Sequence, residues 1–129
     1  GAGAWEACFV NTLSPGDRVL FIETGHFAKA WAATAKAFGL ECDVIPTDWR
    51  SGVDPEVLAA HLRSDVDRKI RAVCVVHNET STGARTSVGE VRAAIDAAQH
   101  PALLMVDTVS GLGAMDFRHD EWGVDVSLS

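Results

Sequence analysis

The residue with the most to explain is Asp107, which directly follows the apolar run Leu103-Leu104-Met105-Val106. A carboxylate in that place needs a cation, a helix end to cap or a ligand, because an unpaired charge in apolar surroundings is costly. A second polar concentration is His77-Asn78-Glu79-Thr80-Ser81-Thr82-Gly83. It reads either as a helix-leading turn satisfied by its own hydroxyls or as a loop that holds a ligand. Gly1-Ala2-Gly3 stands before a helical segment, an arrangement in which backbone amides bind phosphate. A lone G-x-G is a weak pattern, and no strand precedes it in the sequence. Phe27 is of a type found more often in a core than as a platform for a flat ligand. The three cysteines and five histidines never reach metal-ligand spacing, which argues against a zinc site. His61, His100 and His119 read as members of solvated faces. Neither a G-x-S-x-G nor a Walker pattern is present.

These residues must be held by elements, and the chain alternates between two periodicities without internal repeats. Residues 3–13 read as a helix ending in the turn Ser14-Pro15-Gly16-Asp17. Val19 to Ile22 is a short continuous apolar run of the kind a buried strand shows. Phe27, Trp31, Thr34, Ala35 and Phe38 share one helical face, and Gly39 supplies a stop. Cys42 to Ile45 reads as a strand closed by Pro46. Asp54-Pro55 offers an N-cap and a first-turn proline to a helix carrying Leu58 and Leu62. Ile70 to Val76 is the next strand. Ser87 and Glu90 have capping-box spacing ahead of the stripe Val91, Ile95 and Ala98. Ala102 to Val106 and Val124 to Leu128 complete the set of strands. Apolar strands alternating with helices imply an α/β fold, a mainly parallel sheet with helices on both faces. Ligands in such sheets bind beyond the carboxyl ends of the strands. Four loops lie there: 24–27, 47–52, 77–83 and 107–110.

Composition narrows the partners. The chain has 129 residues, 47% of them hydrophobic and 22% charged, which suits one folded domain or part of one. Eleven basic against 18 acidic residues give a net charge of −7, which argues against nucleic acid or an anionic membrane as partner. Cys8, Cys42 and Cys74 are odd in number and lie in apolar surroundings, a pattern of a reducing, cytoplasmic setting. No apolar stretch approaches the roughly 20 residues that cross a bilayer. The chain opens without methionine and stops inside a strand-like run, so it reads as an excerpt of a longer protein.

Taken in order, six segments resemble the class V (fold type I) pyridoxal-phosphate aminotransferases, closest to the serine–glyoxylate and alanine–glyoxylate branch. They are Gly1-Ala2-Gly3-Ala4-Trp5-Glu6-Ala7, Asn11 to Asp17, Glu23-Thr24-Gly25-His26-Phe27, Val76 to Gly83, Ala102 to Asp107 and Asp120-Glu121-Trp122-Gly123-Val124-Asp125. The resemblance implies the cofactor pyridoxal 5'-phosphate and a role for each matching residue. Asp107 is implied to bind the pyridine nitrogen and keep it protonated, so that the ring accepts the electron pair released at the substrate Cα. Phe27 is implied to stack on the ring, Val109 to pack on its other face and Thr80 to contact it, at the phenolic oxygen. Gly1 and Ala2 match the turn whose amides hold the phosphate. Ala2 lacks the hydroxyl or imidazole usual there, so only a backbone contact carries over.

The same resemblance implies what lies elsewhere. The Schiff-base lysine belongs just beyond Ser129, since Lys29, Lys36 and Lys69 match none of the family's lysine positions. No catalytic residue is therefore expected within the chain, and residues 1–129 read as part of the cofactor-binding large domain, truncated at both ends and inactive alone. The complete protein is implied to be a homodimer acting on a small amino acid, serine or alanine, and an oxo acid such as glyoxylate. Two alternatives stand beside this. A cysteine desulfurase or lyase of the same class shares the ring-binding loops, although residues 76–83 favour the aminotransferase branch. A non-catalytic nucleotide-binding α/β module would use Gly1-Ala2-Gly3 and require Asp43 or Asp48 as a ribose contact.

Overall fold

Side chains alternate sides along a strand, so an apolar run buried on both faces needs a helix layer above and below it. That is how this chain folds. The computed structural model describes residues 1–129, with α1 (Ala2–Thr12), β1 (Arg18–Glu23), α2 (His26–Ala37), β2 (Glu41–Pro46) and α3 (Pro55–Ser64) in order. Then follow β3 (Ile70–Val76), α4 (Val88–Ala97), β4 (Leu103–Asp107) and β5 (Val126–Leu128). The five strands form one parallel sheet in the order β2-β1-β3-β4-β5.

The alternation divides the core in two. Leu20 and Ile22 of β1, Val73 and Val75 of β3, and Leu104 and Val106 of β4 meet Leu58, Leu62, Val91 and Ile95 from α3 and α4. On the opposite face Val19, Phe21, Ala72, Cys74, Val76 and Met105 meet Trp5, Phe9 and Trp31 from α1 and α2. Trp31 is fully buried, 5.6 Å edge-on from Phe21 and 6.0 Å from the Phe9 ring. Asp107 follows Met105 by two residues, so the pleat delivers its carboxylate to the α1/α2 side.

Helix starts and the last strand depart from the simplest reading. Asp54 caps α3 as expected, accepting from the Glu56 amide at 2.9 Å. The capping box expected at Ser87 and Glu90 does not form: Ser87 precedes α4 but its side chain makes no cap bond. Val124 is buried in the core, yet strand pairing begins only at Val126. The Asp125 carboxylate occupies the preceding ladder position, accepting from the Leu104 amide at 2.8 Å. His100 is not on a solvated face. Its side chain is 2% exposed, with Nε2 2.8 Å from Asp65 Oδ2 and Nδ1 accepting from the Ala102 amide.

Candidate functional site

Beyond the carboxyl ends of β1, β3 and β4 the chain encloses a cavity of about 270 Å³. That is near the lower end of the roughly 300–1,000 Å³ usual for small-molecule sites. Gly1, Ala2 and Trp5 border it from α1, and His26, Phe27 and Ala30 from α2. Val76, Asn78 and Thr80 come from the end of β3, and Asp107, Val109 and Ser110 from the end of β4. All six residues singled out in the sequence, Gly1, Ala2, Phe27, Thr80, Asp107 and Val109, therefore line one space. Loop 47–52 does not take part. Asp48 folds back on its own turn, accepting from the Arg50 and Ser51 amides, and these bonds hold its carboxyl below the usual range. Asp43 faces Arg18 and His61 at 3.9 and 3.4 Å. Neither acid lines the cavity that Gly1 borders, so neither is placed as the ribose contact of a nucleotide module using it.

Asp107 is 4% exposed. Oδ2 accepts from the Trp5 indole Nε1 at 2.7 Å, and Oδ1 accepts from the Val109 amide at 2.9 Å. The second bond is a local Asx turn, so the capping role weighed for this residue is met in part. No lysine, arginine or histidine forms an ion pair with it. Both donors are neutral, so the charge remains uncompensated on the cavity wall.

Phe27 is 40% exposed at the first turn of α2, not in the core. Its helix has no cap of its own, because Gly25 stands at the N-cap. The cap comes from 52 residues away: Glu79 is fully buried and accepts from the Phe27 amide at 3.1 Å and the Ala28 amide at 3.0 Å. Ser81 Oγ donates to the same carboxylate at 2.9 Å and accepts from the His26 amide at 3.0 Å. A Cβ on Gly25 would collide with the Glu79 side chain, so only glycine lets the loop come this close. Thr82 Oγ1 adds a bond to the Thr24 carbonyl at 3.1 Å. The loop 77–83 is thus both a self-satisfied turn and the clasp on the α2 N-terminus, with exposed Thr80 at its tip.

Two titratable groups near the cavity are shifted toward their neutral forms. Burial pushes the Cys8 thiol up to about 11, with the Asp107 charge adding to it, so thiolate is scarce. Burial holds the His77 imidazole below its ordinary value, and the nearby Arg85 charge acts the same way.

The family model for the class-V aminotransferases matches residues 4–129. The chain belongs to the class-V aminotransferases. It is 47% identical, over its whole length, to the serine–glyoxylate aminotransferase of Arabidopsis thaliana, covering 32% of that protein. It is 46% identical to the L-aspartate–glyoxylate aminotransferase of Paracoccus denitrificans, again over its whole length and 33% of the relative. An alanine–glyoxylate aminotransferase from Nostoc sp. superimposes with a TM-score of 0.87 at 34% identity, over 98% of this chain and 32% of that one. This class-V chain thus spans about a third of the length of the curated relatives it matches.

Trp5 belongs to the site without having been singled out in the sequence, and Asn78, Glu79 and Ser110 lie in loops singled out there without a role of their own. Asn78 Nδ2 donates to Ser110 Oγ at 3.1 Å, and that hydroxyl donates to the Asn78 carbonyl at 2.7 Å. The usable signal was Glu79 itself, an acid inside a hydroxyl-rich loop beside a helix that begins Gly25-His26 without an acidic first turn. Trp5 gave none, because its partner lies 102 residues away.

Proposed function

We propose that this chain is the ring- and phosphate-binding part of the large domain of a pyridoxal-phosphate aminotransferase. The complete protein would move an amino group from a small amino acid, serine or alanine, to an oxo acid such as glyoxylate. One observation carries the reading: Asp107 is a buried carboxylate on a cavity wall with two neutral donors and no cation. A protonated pyridine nitrogen is the partner such a group lacks, a flat cation with a single N–H.

The other residues suit the rest of that cofactor. The first turn of α1 opens at the Gly1–Ala2 edge of the cavity and contains no acidic side chain to compete for its amides, which favours a phosphate there. Ala2 would contribute its backbone alone. Phe27 would lie against one ring face and Val109 against the other, both being partly exposed apolar side chains on the cavity. Thr80 would offer its hydroxyl to the phenolic oxygen. When bound, the cofactor supplies the electron sink for the pair left at the substrate Cα. The chain's own residues bind it, fix its plane and hold the proton on its ring nitrogen.

The names of the relatives support glyoxylate as the acceptor. A homodimer is proposed on the family resemblance, and a cytoplasmic location on three free cysteines. No helix is long and apolar enough to cross a membrane. The complete protein, given serine or alanine with glyoxylate and pyridoxal phosphate, should form glycine and the matching oxo acid in equal amounts. Tight cofactor binding without glycine from any small amino donor would refute glyoxylate as the acceptor, and no amino acid product from any oxo acid would refute amino transfer. Sulfur release from cysteine would identify the desulfurase chemistry instead.

A further inference from the structure

We propose that Trp5 is a positioning residue for Asp107, and that its indole ties the group facing the ring nitrogen to the helix end facing the phosphate. The inference rests on the cofactor reading above and adds to it a residue outside the six already assigned.

An aspartate cannot aim its own carboxylate well, because its terminal torsion is broad and roughly two-fold. Here two donors fix the plane from different directions: the Val109 amide on Oδ1 and the Trp5 indole on Oδ2. The indole N–H only donates, so the polarity of the 2.7 Å bond is unambiguous. Its length is that of a charge-assisted bond. Each carboxylate oxygen keeps a second lone pair, so the indole orients Asp107 without exhausting it.

The indole is itself held. It stacks on the fully buried Trp31 at 6.1 Å and 16°, and Trp31 is wedged against Phe9 and Phe21. Its own backbone sits in the opening turn of α1, where the Trp5 amide donates to the Gly1 carbonyl at 3.2 Å. One residue therefore joins the opening turn of α1, through its backbone, to the carboxylate at Asp107, through its indole. Cofactors of one fixed length, charged at both ends, reward a fixed separation between the two groups that hold them.

The experiment uses the complete protein with Trp5→Phe, which keeps a stacking ring and removes the N–H. A second form replaces Trp5 by its analogue with sulfur in place of the indole nitrogen, preserving shape and area. Three quantities are read: the cofactor dissociation constant, the ¹⁵N resonance of ring-labelled cofactor, and the thermal midpoint of the cofactor-free protein. Both forms should weaken cofactor binding about 10- to 100-fold, the range of one hydrogen bond to a charged group. The ¹⁵N resonance should move toward the unprotonated position, and the sulfur analogue should melt close to the parent. An unchanged resonance and affinity in the sulfur analogue would overturn the proposal, leaving Trp5 a packing residue, whether or not Trp5→Phe folds. If Asp107→Asn in the same assays also changes neither quantity, the cofactor reading itself has failed. If only the Trp5 forms are silent, that reading stands without this addition.

Discussion

A buried carboxylate can be a structural pin or a chemical group, and the two roles give different effects on turnover at Asp107. Asparagine keeps the shape and one acceptor oxygen for the Trp5 and Val109 donors but removes the charge. In the complete protein, Asp107→Asn should lower the single-turnover rate by roughly 10² to 10³, the cost of removing one electrostatic group from a reacting centre. The thermal midpoint should fall modestly as well, because the amide N–H₂ must face one of the two donors. A pin would lower the midpoint and spare turnover, so the rate decides between the two roles. Phe27→Ala should behave differently from either. Its ring is partly exposed and donates no charge, and stacking contributes only about 0.5–1.5 kcal/mol beyond burial. Cofactor affinity should fall several-fold while the folded state keeps its stability, and an unchanged dissociation constant would remove Phe27 from the ring.

At the scale of elements, the site depends on a helix that cannot cap itself. Glu79 offers two oxygens to the α2 amides and to Ser81, and glutamine keeps only one of them as an acceptor. Glu79→Gln turns an N–H₂ group toward helix amides, leaving at least one buried donor unpaired at about 1–3 kcal/mol. The thermal midpoint should fall, and cofactor affinity should fall with it because Phe27 and Thr80 lie on the two segments Glu79 clasps. Equal midpoints in parent and variant would mean that water replaces the clasp. This clasp also marks the limit of what the sequence could tell. Apolar runs such as Ile70–Val76 declared buried strands, and Asp54-Pro55 declared a helix start, because both signals are local. The delayed start of β5 at Val126 depends on where the Asp125 side chain finds the Leu104 amide, a contact between strands that no local pattern encodes. Asp107 stood out because it ended an apolar run; Trp5 and Glu79, which aim it and its neighbours, act across 102 and about 50 residues.

Across the whole molecule, the end of the sheet opposite the cavity is fastened by a partly buried acid, and its titration gives the fold an acid-sensitive joint. Asp65 accepts from the Ile70 and Lys69 amides and from His100 Nε2, joining the start of β3 to the segment ahead of β4. Burial raises the Asp65 carboxyl, but the Ile70 amide, the His100 imidazole and the Lys69 amide together outweigh it and leave the pKa below 3.8. The unfolded chain therefore binds the Asp65 proton more readily than the folded one, and stability from this group is complete above about pH 4 and lost as the pH falls through the folded value. His77 adds a separate loss: with its folded pKa below 6.5, the unfolded chain takes up its proton first as the pH falls through 6.5. An Asp65→Asn protein retains His77, so the difference in thermal midpoint between parent and variant isolates the joint. That difference should be largest above about pH 4, where the parent carboxylate is charged, and should shrink as the pH falls through its folded value and the parent loses the same charge. A gap that stays constant over that whole range would mean that Asp65 holds these segments by its hydrogen bonds alone, whatever its charge.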